Sequence, residues 1–322
     1  VIGIIYAIHP GELSVSWRSR LGALIPAVIL FLPWVNFAGN TLKPGEFRAT
    51  VLDIGQGTAV LVETANKRLL YDTGPIQGKG EDAGQRTILP YLRGRGIAQI
   101  DRMVISHSDS DHVGGAASLL KQITFSEMMG SLPNDNPLLI NLSARKIPSI
   151  PCRYGQRWIW DQVEFVIWHP HEFTNFQKQY PMKPNEMSCV LEVRNKSTSF
   201  WLTGDVERQG EAEITERLDA MMLNEIDDRQ IIFMAPHHGS KTSSSIELLK
   251  ALEPDIAFAQ NGYRNRYGHP HPTVTARYKS LDIPFYQTPE TGAQVWTFRA
   301  GSFGASSWFM RWNSRRLWYR QD

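Results

Sequence analysis

Apolar positions in this chain fall into short runs separated by glycine, proline and polar turns, so strands dominate its first half. "EFRATVLDIG" and "TAVLVET" read as paired strands joined by the glycine turn "GQG", and "KRLLYDTG" reads as a third. "QRTILPYLRGRGI" has helical spacing and stops at glycines, "IDRMVIS" is a buried strand, and "GGAASLLKQI" reads as a helix. From about Phe125 to Tyr180 the chain is rich in proline and asparagine and weakly periodic, which predicts loops and short strands. "SCVLEVR" and "STSFWLTGD" are strands again, followed by the helix "ERQGEAEITERL" and the apolar strand of "RQIIFMAPHHGS". "SSIELLKALEP" and "PTVTARYKSL" read as helices on either side of the strand "DIAFAQNG", and "AQVWTFRA" as the final strand. Hairpins first and alternating strands and helices later predict an α/β fold of two mixed sheets with helices packed outside.

The segment 1–42 differs. From Leu21 to Phe37 runs "LGALIPAVILFLPWVNF", seventeen residues without a charge, close to the short limit for a membrane-spanning helix. Arg18 and Arg20 precede it, and Trp17 and Trp34 stand near its ends as interfacial aromatics do. A transmembrane helix near 21–37 is therefore expected, with its N-terminal side in the cytoplasm and the rest outside; a buried apolar helix is the alternative. A signal peptide fits less well, because the apolar run "VIGIIYAI" precedes this stretch and two prolines interrupt it. Residues 43–300 then form the main domain. Residues 301–322 form a tail whose "RWNSRRLWYRQD" mixes four arginines with three aromatics; a poorly ordered end is expected there, rather than contact with a strand of nucleic acid or a membrane surface.

A formal charge of +2 excludes a global nucleic-acid footprint, so any affinity for phosphate must be local. The two cysteines, Cys152 and Cys189, are expected to make neither a disulfide framework nor a thiolate metal site. Metal binding then falls to carboxylates and imidazoles. These cluster in "VISHSDSDHVGG", where His107, Asp109, Asp111 and His112 follow an apolar strand. Without a cation, Asp109 and Asp111 repel and raise each other's pKa; a divalent ion removes that penalty. A solvated turn with Asp111 as helix cap is the plainer account. It weakens because two more strands end alike: "SFWLTGD" at Asp205 and "IIFMAPHHGS" at His237 and His238. Strand C-termini are where α/β folds place ligands.

"SHSDSDHVGG", "TGD" and "PHHGS" together resemble the metallo-β-lactamase superfamily. With "VLDIGQGTAVLV", "YDTG", "ILPYLRGRGI" and "NRYGHP", the resemblance narrows to the C-terminal domain of ComEC-type competence DNA-uptake channels, over about Phe47 to Arg299. It implies an αβ/βα sandwich with two divalent ions at one edge: Mn²⁺ or Zn²⁺, with Mg²⁺ a further option. His107 and Asp109 would hold one ion, Asp111 and His112 the other, Asp205 would bridge, and His238 or His237 would complete the second site. A histidine that the superfamily carries before the strand leading to Asp205 is absent; Asn185 and Ser188 stand in "KPNEMSCVLEV" instead, and His169 in "VIWHP" could substitute for it, although a structural role is expected.

Such a centre serves either a phosphodiester or a carbonyl substrate. Asp111 is the candidate to orient the attacking water and His269 to protonate the leaving oxygen, although His269 could equally cap the next helix. Ser240, Lys241, Thr242 and Ser243 precede a helix, while Asn261, Arg264, Asn265 and Arg266 are interleaved with Tyr263 and Tyr267 for base stacking. The expected function is a membrane-anchored nuclease, on the periplasmic face of the inner membrane, that degrades the non-imported DNA strand. Single-stranded DNA, the membrane, the rest of the channel and DNA-receptor proteins are its expected partners. Its rivals are a non-catalytic DNA guide and a small-molecule thioester or lactam hydrolase.

Overall fold

The computed structural model describes residues 41–78, 80–171, 183–222, 229–301 and 304–314. All but Thr41 belong to the unit Leu42–Asp322. The apolar stretch 21–37, expected to span a membrane, lies outside them; among the described residues no helix is long and apolar enough to do so.

Two sheets face each other. The first contains β1 (Phe47–Val51), β2 (Val60–Glu63), β3 (Arg68–Tyr71), β4 (Gln99–Ile105), β5 (Thr124–Gly130), β6 (Ser149–Pro151), β14 (Gln294–Phe298) and β15 (Ala305–Phe309), in the order β15-β14-β1-β2-β3-β4-β5-β6. Pairing is antiparallel from β15 to β3 and parallel from β3 to β6. The second contains β7 (Arg157–Trp160), β8 (Val163–His169), β9 (Val190–Arg194), β10 (Thr198–Leu202), β11 (Gln230–Met234), β12 (Ile256–Ala259) and β13 (Phe285–Gln287), in the order β13-β12-β11-β10-β9-β8-β7.

Side chains alternate across each strand, which sorts the apolar residues into three layers. Val60, Val62, Leu69, Tyr71, Phe200, Leu202, Ile232 and Met234 point between the sheets. Their neighbours Leu61, Leu70 and Met103 face outward under Ile88, Leu92 and Leu119. Trp201, Phe233 and Ala257 face the other way, under Ile214, Leu248 and Tyr278. Strands buried on both faces read as continuous apolar runs, which is how the sequence shows them.

Three stretches depart from expectation. The weakly periodic middle holds the seven-residue strands β5 and β8 and the helix Pro137–Ala144. Strands such as "VEFVIWH", apolar on both faces, carry no period-two signal. The presumed tail begins with β15, which pairs with β14 along its whole length, so "AQVWTFRA" is not the last strand. Phe309 explains this, being buried against Trp296 and Tyr286 while its polar neighbours Ser306 and Ser307 conceal the strand in sequence. Finally, Cys152 and Cys189, expected to make no disulfide framework, are joined in a disulfide. Their Cα atoms lie 5.9 Å apart, within the range a disulfide needs, because Cys152 follows β6 and Cys189 precedes β9 on facing sheets.

Phe200→Ala, which empties the centre between the sheets beside Phe258 and Phe298, is expected to cost about 3–5 kcal/mol in denaturant unfolding. Replacing Cys152 and Cys189 by alanine is expected to cost about 2–4 kcal/mol. Alkylation of the untreated protein should label neither cysteine, even in denaturant, until a reductant is added.

Candidate metal centre

Each suspected loop leaves the same end of a sheet. After β4, Asp109 in extended backbone (φ −69°, ψ 148°) starts the short helix Ser110–Val113 that carries Asp111 and His112. After β10, Gly204 turns the chain at φ +54°; a Cβ there would meet that of Ser106 at 2.7 Å, so glycine lets this loop close on the first. After β11, His237 and His238 both adopt left-handed backbone (φ 51° and 54°), a conformation that costs non-glycine residues of order 1–3 kcal/mol. The His237 amide donates to the Gly204 carbonyl at 3.0 Å and so ties the second loop to the third.

The loops bring Asp111, His112, Asp205 and His238 together, one ligand atom from each lying within 4.8 Å of all the others. His112 Nε2 is 3.1 Å from Asp205 Oδ1, and His238 Nε2 is 3.2 Å from Asp111 Oδ2. The opposite ring nitrogens are held. His112 Nδ1 meets Asp72 Oδ2 at 2.7 Å, and His238 Nδ1 meets the Gln260 carbonyl at 2.8 Å. His107 Nδ1 lies 3.0 Å from the Ser106 hydroxyl, which itself donates to Asp72 at 2.8 Å. Each Nδ1 therefore carries a hydrogen, which leaves Nε2 as the atom that faces the site and can offer a lone pair once a cation displaces any proton there. Nε2 of His107, His112 and His238 and Oδ1 of Asp205 are buried with no hydrogen-bond partner. Buried polar atoms rarely go unpaired, and these are imidazole and carboxylate donors suited to a divalent cation. The donor set fits a metal ion.

Charge tells the same story. Burial pushes Asp111 upward, but His238 and His112 outweigh it and hold the carboxyl at about 2. Burial likewise raises Asp205, yet the charges of His112 and His238 bring it well below the usual range. In return, burial lowers His112 and His238, and the surrounding carboxylates, chiefly Asp205, more than compensate and raise both.

The other expected residues take varied places. His107 is fully buried, with Nε2 3.7 Å from Asp109 Oδ2, beside rather than within the four-residue group. His237 turns toward Glu207, with Nδ1 3.3 Å from Oε1, and its Nε2 lies 3.6 Å from Asp205. Ser188 accepts the Asp205 amide at 3.0 Å and lies 3.4 Å from His107 Nδ1, so it braces two site residues. His169 is structural: its Nδ1 bonds the Ser188 carbonyl at 2.8 Å. His269 is half-buried, its ring centre 5.6 Å from that of His237. Burial, then His237 and His238, push it down to about 4, so its imidazole is neutral near pH 7 rather than a charged acid.

Among the residues expected to bind substrate, Lys241 is exposed. Ser240 pairs with Thr242 at 3.0 Å, and Ser243 donates to the Val206 carbonyl. Asn261 and Asn265 both donate to the carbonyl of His269, so their amides shape its loop. Arg266 is exposed. Sequence reasoning passed over Asp72, Gln260 and Glu207 as site residues. Asp72 could have been found, since "YDTG" is a strand-end aspartate like that of "TGD". Gln260 contributes a backbone carbonyl, which no side-chain pattern reveals.

Residues 52–260 match the family described as the Metallo-beta-lactamase superfamily. The chain belongs to this superfamily. It is 33% identical over 267 residues to competence protein ComA of Neisseria gonorrhoeae, covering 83% of this chain and 34% of that one. It is 34% identical over 255 residues to recombination protein 2 of Haemophilus influenzae, covering 78% and 29% respectively. The chain thus spans about a third of the length of these curated relatives. Among solved structures, a variant of the β-hydroxylase CmlA of Streptomyces venezuelae superposes with a TM-score of 0.50 at 12% identity, over 79% of this chain and 54% of that one, a likeness of fold alone.

In this superfamily member, Asp72→Asn is expected to weaken divalent-ion binding about ten- to hundredfold through loss of His112 orientation, and Asp205→Ala to abolish it, as read by calorimetric titration with Mn²⁺ or Zn²⁺. Protons on the raised His112 and His238 compete with the ion. Affinity should therefore fall as pH drops and rise as it increases, with protons released on binding. Affinity that is flat from about pH 6 to 8 would remove the imidazoles from the ligand set.

Proposed function

We propose that this chain is the hydrolase domain of a membrane-bound DNA-uptake protein and cleaves phosphodiester bonds, degrading the strand that is not imported. The observation that carries the reading is the convergence of Asp111, His112, Asp205 and His238, the last three buried with donor atoms that make no hydrogen bond. The likeness to a competence protein supports DNA as the substrate. Those four residues would hold one divalent ion, and His107 and Asp109 beside them a second. When bound, the ions supply Lewis acidity and a water nucleophile available near neutral pH. Mn²⁺ or Zn²⁺ suits the mixed imidazole and carboxylate donors, with Mg²⁺ a weaker option.

The chain's own groups do the rest. Asp111, half-buried and ionised, would orient the attacking water. His269, neutral at working pH, would donate a hydrogen bond to a phosphoryl or leaving oxygen rather than transfer a full proton. Lys241 and Arg266 would steer the phosphate backbone by charge. Location on the outer face of the cell membrane is consistent with the Cys152–Cys189 bridge, since disulfides persist in oxidising compartments.

One observation favours a second reading, a DNA guide without catalysis. Ser188, in the stretch where a histidine was expected, accepts the Asp205 amide and touches only the Nδ1 side of His107. The first ion would then lack a ligand.

With labelled single-stranded DNA and Mn²⁺, the wild-type chain is expected to cleave, Asp205→Ala and His107→Ala to be inactive, and Asp111→Asn to lose about 10²–10⁴-fold in kcat. Tight DNA binding without cleavage under any divalent ion would establish the guide instead. Neither binding nor cleavage would point to a small-molecule hydrolase.

A further inference from the structure

We propose that the loop from Gly262 to His269 is a stacking platform for unpaired bases, making the metal edge selective for single-stranded nucleic acid, a role that presupposes the phosphodiesterase activity proposed above. Tyr263 and Tyr267 are 71% and 52% exposed, unusual for aromatic side chains held on an ordered loop. A guanidinium lies over one face of each ring, Arg264 at 5.2 Å from the centre of Tyr263 and Arg266 at 4.8 Å from that of Tyr267. Arg266 also donates to the Tyr267 hydroxyl at 2.6 Å. Aromatic faces alternating with cations are what a single strand requires, because every base has a π-face and every nucleotide a charge. From Ile256 to Leu281 the sequence contains no carboxylate, so nothing acidic on this segment repels a phosphate.

The platform is fixed relative to the candidate metal ligands. The Asn265 side chain donates to the Gly262 carbonyl at 3.0 Å and accepts the His269 amide at 2.9 Å, closing the loop from within. The Gly262 amide donates to Gln56 at 3.1 Å, in the turn that contains Gly57. Gly57 in turn packs on the backbone of Asp111 too tightly for a Cβ. On the other side, Tyr267 lies 5.6 Å from His269, and His269 lies 5.6 Å from His237, ring centre to ring centre. A base on Tyr267 would therefore sit beside the ion ligands, with its phosphate toward them. A duplex keeps its bases stacked on each other and would first have to unstack them, so it gains nothing from the two rings.

The test is equilibrium binding of labelled oligothymidine to the whole chain, compared with a duplex of equal length. Turnover of bis(p-nitrophenyl) phosphate, a phosphodiester without bases, is measured alongside. Tyr263→Ala and Tyr267→Ala should each weaken oligothymidine binding roughly tenfold, with little change for the duplex, and the Phe variants should retain it. In turnover, the loss should appear as a raised KM for the oligonucleotide and a lower efficiency relative to the small diester. Oligothymidine binding unchanged in the double alanine variant, or lost equally for single strand and duplex, overturns the platform. Absence of diester turnover in the wild type would overturn the phosphodiesterase activity instead, while the binding measurements still decide the platform.

Discussion

Everything at the site depends on where three imidazoles keep their hydrogens. His107, His112 and His238 are each tied at Nδ1, through Ser106, Asp72 and the Gln260 carbonyl. With those nitrogens occupied, the three Nε2 atoms turn into the site, buried and without a well-formed hydrogen bond, and those of His112 and His238 lie 3.1 and 3.2 Å from carboxylate oxygens of Asp205 and Asp111. A fold does not leave such atoms uncompensated at no cost. Together with ionised Asp111 and Asp205 they amount to an unsatisfied demand for positive charge, which a divalent cation meets.

Asp72 is central to that arrangement, though it is not among the four candidate ligands. Its carboxylate accepts the amide and hydroxyl of Ser106 as well as the His112 ring, fixing the start of the first loop and one of its histidines at once. Around it, the sandwich sets the loops at one edge with little freedom. Tyr71 donates to the Cys189 carbonyl and so links the two sheets just behind the site. Cys189, bridged to Cys152, holds the segment whose Ser188 braces both Asp205 and His107. The left-handed backbone of His237 and His238 is the strained counterpart of this rigidity. Strain of that kind persists only where surrounding contacts enforce it.

Much of this was legible beforehand. The strands that feed the three loops are uninterrupted apolar runs closed by polar turns, so their ends, and hence Asp111, His112, Asp205 and His238, could be named from the chain alone. The glycines of "TGD" and "HHGS" marked the tight turns. The middle of the chain misled because β8 is buried on both faces and shows no alternation, and β15 because two adjacent exposed serines break its apolar pattern.

Local residue order thus determined which elements form and which side chains stand at their ends, because hydrophobic periodicity and turn chemistry act over a few residues. Tertiary structure decided what those ends mean to one another. It chose His238 rather than His237 for the four-residue group, brought Asp72 and a backbone carbonyl behind the imidazoles, joined two distant cysteines, and lowered the proton affinity of His269. Each of these depends on distances and dielectric surroundings between segments far apart in sequence, and such quantities exist only once the sheets have packed.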